Sequence, residues 1–163
     1  MSGWNLLYNG GLKMDQTDIR LLELLQLDGR ITISELSKKL SLSRPSISER
    51  MNRLEERGII EGFSARVSPQ ALGRNVLVII QLSELRFNSY SDFEKTIQGN
   101  PDIIECHRLT GSVSYLLKAA VTGMDHLGQL IDFLLPYGNV NTSIVLSSPV
   151  SFRCIVPQSE ERE

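Results

Sequence analysis

Two short amphipathic segments joined by three residues constrain this chain most. Residues 34–57 read SELSKKLSLSRPSISERMNRLEER. Leu36 and Leu40 fall on one face of a first helix. Ile47, Met51 and Leu54, at spacings of four and three, fall on one face of a second. Ser41, Leu42 and Ser43 leave room only for a turn. Ser43 suits an N-cap, and Pro45 suits a first turn, where its missing N–H costs nothing. The outer side of the second helix then carries Arg44, Ser46, Ser48, Glu49, Asn52 and Arg53. Hydroxyls and amides match base edges, and long cations match phosphates and guanine. The pattern predicts a helix-turn-helix whose second helix fits a DNA major groove.

The flanks complete a small domain. A first helix is expected over 16–27, capped by Asp15, with Asp18 at the positive end of its dipole. Its buried stripe is read as Ile19, Leu22, Leu24 and Leu25, and residues 28–30 end it. Thr32 and Glu35 form a capping box that starts the next helix near Ile33. Gly58 stops the reading helix. Residues 59–67 alternate around Gly62 and suit a two-stranded wing or a single strand. Residues 14–67 are thus expected to form a winged helix-turn-helix domain. Residues 1–13 precede it as a loose extension, and 68–75 follow it as a hinge.

After the hinge the pattern changes. Strands are expected over 76–85, 103–109, 114–121 and 140–146. One helix is expected after a capping box of Ser91 and Glu94, and another from an Asp125 cap to about Leu135. Gly111 sits in the hairpin turn between the middle strands. Residues 150–156 extend the sheet or swap to a neighbour, and 157–163 form a frayed tail. The order over 76–156 is βαββαβ, the ferredoxin-like pattern. The fold class is therefore α+β. Two helices cover one sheet face, and apolar residues such as Leu77 and Ile79 on the other call for a second subunit.

Charge is uneven. The chain of 163 residues has a formal net charge of −2. Residues 1–67 hold 10 Lys and Arg against 9 Asp and Glu, a balance of +1, and the remainder hold 7 against 10, a balance of −3. A local basic stripe on an acidic protein still attracts phosphate. The N-terminus has no charged region followed by an apolar core, and no apolar run reaches the length of a membrane span, so a cytoplasmic protein without a membrane partner is expected. Cys106 and Cys154 are far apart and suit reduced thiols. With His107 and His126 they match no zinc spacing, so neither a metal nor a cofactor is expected. Tyr90, Phe93, Phe133 and Tyr137 read as core and rim. No nucleophile–base arrangement, phosphate loop or HExxH motif is present, which argues against an enzyme.

Several of these residues also carry a resemblance. Asp15 and Asp18, the Asp28-Gly29-Arg30 turn, Ser34-Glu35-Leu36, and Leu42-Ser43 through Ser46-Ile47, Arg50-Met51, Leu54-Glu55, Gly58-Ile59-Ile60 and Gly62-Phe63 resemble the N-terminal half of the Lrp/AsnC (feast/famine) transcriptional regulators. Cys106 to Gly111, Tyr115 to Lys118 and Thr142 to Leu146 resemble their second domain. The resemblance covers roughly residues 14–150. It implies dimers that often assemble into octamers, with the DNA-binding domains outside. It also implies small-molecule effectors, usually amino acids, in clefts between dimers. The family commonly has Gly-x-x-Asp-Tyr at the hairpin turn, where this chain has Gly111 to Tyr115 with Ser114 in the Asp position. A hydroxyl cannot pair with an ammonium group at full charge.

These observations converge on a sequence-specific DNA-binding transcriptional regulator acting on double-stranded DNA. Arg44, Ser46, Ser48, Glu49 and Asn52 are the candidates for base edges. Lys38, Lys39, Arg53 and Arg57 are the candidates for phosphates. Arg50 borders the buried stripe, so an internal salt bridge with Glu23, Glu35 or Glu55 competes with a phosphate contact. Gly111, Ser114 and Thr142 are the effector candidates, although Gly111 is also explained as a hairpin glycine. The competing reading is an architectural protein that bends DNA with little sequence choice. A ligand-binding module that docks protein partners and a small ferredoxin-like enzyme rank lower.

Overall fold

The structure, a computed structural model, describes residues 14–155. The expected leader 1–13, Val156 and the tail 157–163 lie outside the described residues. The described residues divide into two units: Arg66–Pro149 forms one, and residues 14–65 with 150–155 form the other.

The first unit holds α1 (Gln16–Leu27), α2 (Ile33–Leu40) and α3 (Arg44–Glu56). Local chemistry sets each start. Asp15 accepts from the Asp18 N–H at 2.8 Å, and the Asp18 carboxylate reaches back to the Asp15 N–H at 3.4 Å. Thr32 and Glu35 make the expected box. Ser43 caps α3, with Pro45 in the first turn. Between α2 and α3 the turn requires Ser41 at φ 54°, the left-handed region that short polar residues tolerate better than branched ones. Leu21, Leu25, Leu36, Ile47 and Leu54 form the core. The buried stripe of α1 is Asp18, Leu21 and Leu25, with Leu22 and Leu24 beside it; Ile19 is only half-buried. The strand or wing expected over 59–67 forms no strand. Instead the Ile59 and Ile60 N–H groups both close onto the Leu54 carbonyl, at 2.9 and 3.2 Å.

In the second unit β1 (Val76–Ser83), α4 (Tyr90–Gln98), β2 (Ile103–Arg108), β3 (Tyr115–Val121), α5 (Met124–Leu134) and β4 (Asn139–Ile144) follow in the expected order. The sheet order is β2-β3-β1-β4, antiparallel throughout. Val78, Ile80 and Leu82 alternate on β1, and Tyr115, Leu117, Ala119 and Val121 on β3. Both sets bury against Phe93 and Ile97 of α4 and Leu127, Leu130 and Leu134 of α5. Two caps differ from expectation. Ser89, not Ser91, caps α4, by accepting from the Asp92 N–H at 3.3 Å. The helix α5 starts from Gly123 with no side-chain cap, so Asp125 lies inside its first turn. The sheet also ends earlier than expected: β4 stops at Ile144, and residues 150–155 add no strand.

The opposite sheet face is mixed. Leu77, Ile79 and Leu116 are half-buried there, and Lys118 bridges to Glu105 on β2 at 2.6 Å. Just ahead of β1, the Arg74 guanidinium binds the Asp102 carboxylate and donates to the Ala120 carbonyl at 2.6 Å. His126 Nε2 holds the other Asp102 oxygen at 2.8 Å. Burial opposes ionisation of Asp102, but these two partners outweigh it and hold the carboxyl below its usual range.

At the start of β4 the backbone of Gly138 runs against β1. A Cβ there would lie 2.5 Å from the Ser83 carbonyl oxygen. Gly138→Ala should therefore displace the start of β4 and cost about 1–3 kcal/mol, as overpacking does. Urea unfolding of the variant measures this, and an unchanged midpoint would show that the two strands separate freely.

Candidate nucleic-acid interface

The helix α3 has two differently built sides. Ile47 and Leu54 are buried in the three-helix core, with Met51 half-buried beside them. The outer side exposes Arg44, Glu49, Asn52 and Arg53, with Ser46 and Ser48 half-buried at its flanks. Lys38 and Lys39 are exposed in the last turn of α2, and Arg57 is exposed at the end of α3. Every DNA-contact candidate thus has surface to offer.

The rotation of α3 is fixed by an ion cluster. Asp18 is 1 % exposed. Arg50 donates to it at 2.7 Å and also to Asp15 at 2.7 Å, while Arg53 donates to both Asp18 oxygens at 3.1 Å. The Asp18 N–H, followed by Arg50, holds the Asp15 carboxyl below its ordinary value. Asp15, followed by Asp18, pushes Arg50 further up. Arg50 therefore makes an internal salt bridge, but its partners are Asp15 and Asp18 rather than Glu23, Glu35 or Glu55. The reason is positional: residues 15 and 18 open the helix that α3 packs against. Arg53 keeps a foot in both roles, since 45 % of its side chain stays exposed while it binds Asp18.

The importance of Asp18 is not evident from its place in a first helical turn, where carboxylates usually stay in water. The spacing of Asp18, Leu21 and Leu25 was the available signal, because it puts the carboxylate on the apolar stripe.

The three effector candidates do not converge. Gly111 is exposed at φ 104°, as a tight hairpin turn requires. Ser114 closes that turn: its N–H donates to the Leu82 carbonyl at 2.9 Å, and its carbonyl accepts from Leu109 at 2.8 Å. Thr142 pairs with Ile80, a residue that faces the helices. Ser114 stands one position before Tyr115, which also faces the helices, so strand alternation turns Ser114 toward the opposite face. Nearby, the Tyr115 hydroxyl donates to Glu94 at 2.9 Å. Burial, then this bond, raises the Tyr115 phenol well above its ordinary range, so it stays neutral.

Both halves match known families. Residues 14–61 match the profile described as winged helix-turn-helix DNA-binding, and 75–154 match the Lrp/AsnC ligand binding domain. The chain belongs to the Lrp/AsnC family of DNA-binding transcriptional regulators. This Lrp/AsnC regulator is 37% identical over 135 residues to the HTH-type transcriptional regulator YezC of Bacillus subtilis, covering 83% of this chain and 95% of that protein. The solved structure of Bacillus subtilis LrpC superposes with a TM-score of 0.81 at 31% identity, covering 86% of this chain and 100% of that one. The regulator NMB0573 of Neisseria meningitidis, solved as a complex with L-Met, gives a TM-score of 0.81 at 30% identity over 87% of this chain and 96% of that one. No helix among the described residues of this Lrp/AsnC regulator is long and apolar enough to cross a membrane.

Asp18→Ala strands two guanidinium groups against the core. Removing one partner of a buried pair costs 3–5 kcal/mol, and the part-exposed arginines recover some of that through solvent, so about 2 kcal/mol is expected here. Urea unfolding of Asp18→Ala measures it, and a loss below about 0.5 kcal/mol would place the helix's hold in the apolar contacts alone.

Proposed function

We propose that this Lrp/AsnC regulator reads a pseudo-palindromic operator with α3 in the major groove. Arg44, Ser46, Ser48, Glu49 and Asn52 meet base edges or lie beside them, and Lys38, Lys39, Arg53 and Arg57 meet phosphates. The observation that carries this reading is the two-sided construction of α3, with its inner side locked by apolar and ionic contacts and its outer side open. Glu49 suits a cytosine amino group, which the surrounding cations make approachable. Two such helices are presented by a homodimer, with octamers as the larger assembly. Dimers form over the sheet face that carries Leu77, Ile79 and Leu116, whose half-buried apolar groups the helices α4 and α5 leave uncovered. The protein acts in the cytoplasm, by binding rather than catalysis.

A small-molecule effector binds at the hairpin turn around Gly111 and Ser114, with Thr142 set apart toward the helix layer. The Neisseria protein solved with L-Met supports an amino acid as the ligand class. Ser114 supplies a hydroxyl where a carboxylate would pair with the amino group, so free amino acids bind weakly here.

Mobility shifts on fragments selected from genomic DNA test the reading helix. Arg44→Ala should weaken binding to the selected site by about 1–3 kcal/mol. Lys39→Ala should weaken all sequences alike and reduce the salt dependence. Unchanged affinity for the selected site in Arg44→Ala would remove that residue from the base contacts. Titration calorimetry with methionine and leucine tests the turn. Ser114→Asp should tighten binding about tenfold or more, because a charge-assisted bond replaces a neutral one. Equal affinity in both proteins would place the effector's amino group elsewhere.

A further inference from the structure

Arg50 and Arg53 both reach Asp18, but Asp18 holds them differently. The Arg50 side chain is 21 % exposed, and its Nη1 spans two carboxylates, Asp15 and Asp18, at 2.7 Å each. That guanidinium is committed to the inside of the domain. The Arg53 side chain is 45 % exposed, and both of its bonds to Asp18, at 3.1 Å, leave from Nη2. Asp18 thus grips one corner of the Arg53 guanidinium, and Nε and Nη1 take no part in that grip. A guanidinium carries five N–H donors in one rigid plane, so fixing one corner limits where the others point. A long cation on a helix surface otherwise samples many rotamers and gives them up when it binds.

We propose that Asp18 is a positioning residue for DNA binding: it holds the Arg53 guanidinium so that its remaining donors meet a backbone phosphate while the Asp18 bonds stay in place. This role rests on the phosphate contact proposed for Arg53 above. Asp18 acts on that contact in two opposed ways. Its negative charge offsets the field of Arg53, and its bonds spare Arg53 the loss of freedom on binding. Arg50 takes up part of the Asp18 charge at 2.7 Å, so the hold on Arg53 outweighs the offset. The sign of the effect separates two arrangements. An arginine that had to leave Asp18 to reach the duplex would bind more tightly without it, whereas an arginine held ready binds more weakly. Lysine is no substitute, because an ammonium is a point charge without a second edge to offer.

Mobility shifts at two salt concentrations, on the full chain with folding checked by circular dichroism, test this role. Asp18→Asn should weaken binding about three- to tenfold on all sequences alike, although it removes a negative charge. Unchanged or tighter binding overturns the role. In an Arg53→Ala background the same substitution should change affinity less than about twofold. An equal loss there would trace the effect to Arg50 and the packing of α3, and overturns it too. Arg53→Lys keeps the charge, so it should weaken binding about threefold at an unchanged salt slope, whereas Arg53→Ala should lower the slope by about 1. Full affinity in Arg53→Lys overturns a held planar contact. Nitrogen NMR reads the grip without DNA: rotation of the Arg53 guanidinium about its Cζ–Nη2 bond should be slow in the unaltered chain and about tenfold faster in Asp18→Asn. Rotation at the free-arginine rate in the unaltered chain overturns the grip, and with Arg53→Lys decides the matter if Asp18→Asn does not fold. If Arg53→Ala changes neither affinity nor slope while Arg44→Ala does, the phosphate role of Arg53 fails, and that of Asp18 with it. If the unaltered chain binds no duplex, the DNA reading itself fails.

Discussion

A carboxylate with almost no surface left to water faces two guanidinium groups across the packing between α1 and α3. Apolar contacts such as those of Ile47 and Leu54 set how closely α3 approaches the core, but they permit small rotations about its axis. Charge-assisted bonds are directional, so Asp18 removes that freedom. The outer side of α3 is then presented at one angle. Asp15 is both a helix cap and an ion partner, because the first turn of α1 lies within reach of the Arg50 guanidinium of α3.

In the second unit the organising constraint is alternation. Residues of β1 and β3 that face the helices are nearly all buried and apolar, and those on the opposite face mix Leu77, Ile79 and Leu116 with Gln81 and with Lys118, which bridges to Glu105 of β2. A sheet built this way has one finished side and one that is apolar in part. Its entry is pinned where Arg74 meets Asp102, and its far strand is pinned where Gly138 lets two backbones approach.

The sequence spoke most clearly where local chemistry dominates. Thr32 with Glu35, and Ser43 ahead of Pro45, fix two helix starts whatever surrounds them. Strand order followed from the βαββαβ sequence of elements and connection rules. Tertiary context hid the rest. Ser89 and Ser91 are both capable caps, and the aromatic packing of Phe87 on Phe93 accompanies a helix that begins two residues earlier. The alternation over 59–67 suggested strands, yet no partner strand lies among the described residues, and the segment turns back on the end of α3 instead. Ser114 and Thr142 are both effector candidates from residue type and position, and the parity of the strands places them on opposite sheet faces. The contact surfaces proposed for DNA and effector were legible as residue types. Their division of labour, with Arg50 and part of Arg53 turned inward, needed coordinates.

The four charges of Asp15, Asp18, Arg50 and Arg53 sum to zero, so this cluster leaves little net field outside the domain. What remains around α3 is Lys38, Lys39, Arg44 and Arg57 against Glu35, Glu49, Glu55 and Glu56. The cations proposed for phosphates thus stand among carboxylates that repel the same backbone, so where each cation sits matters more than the sum of the charges.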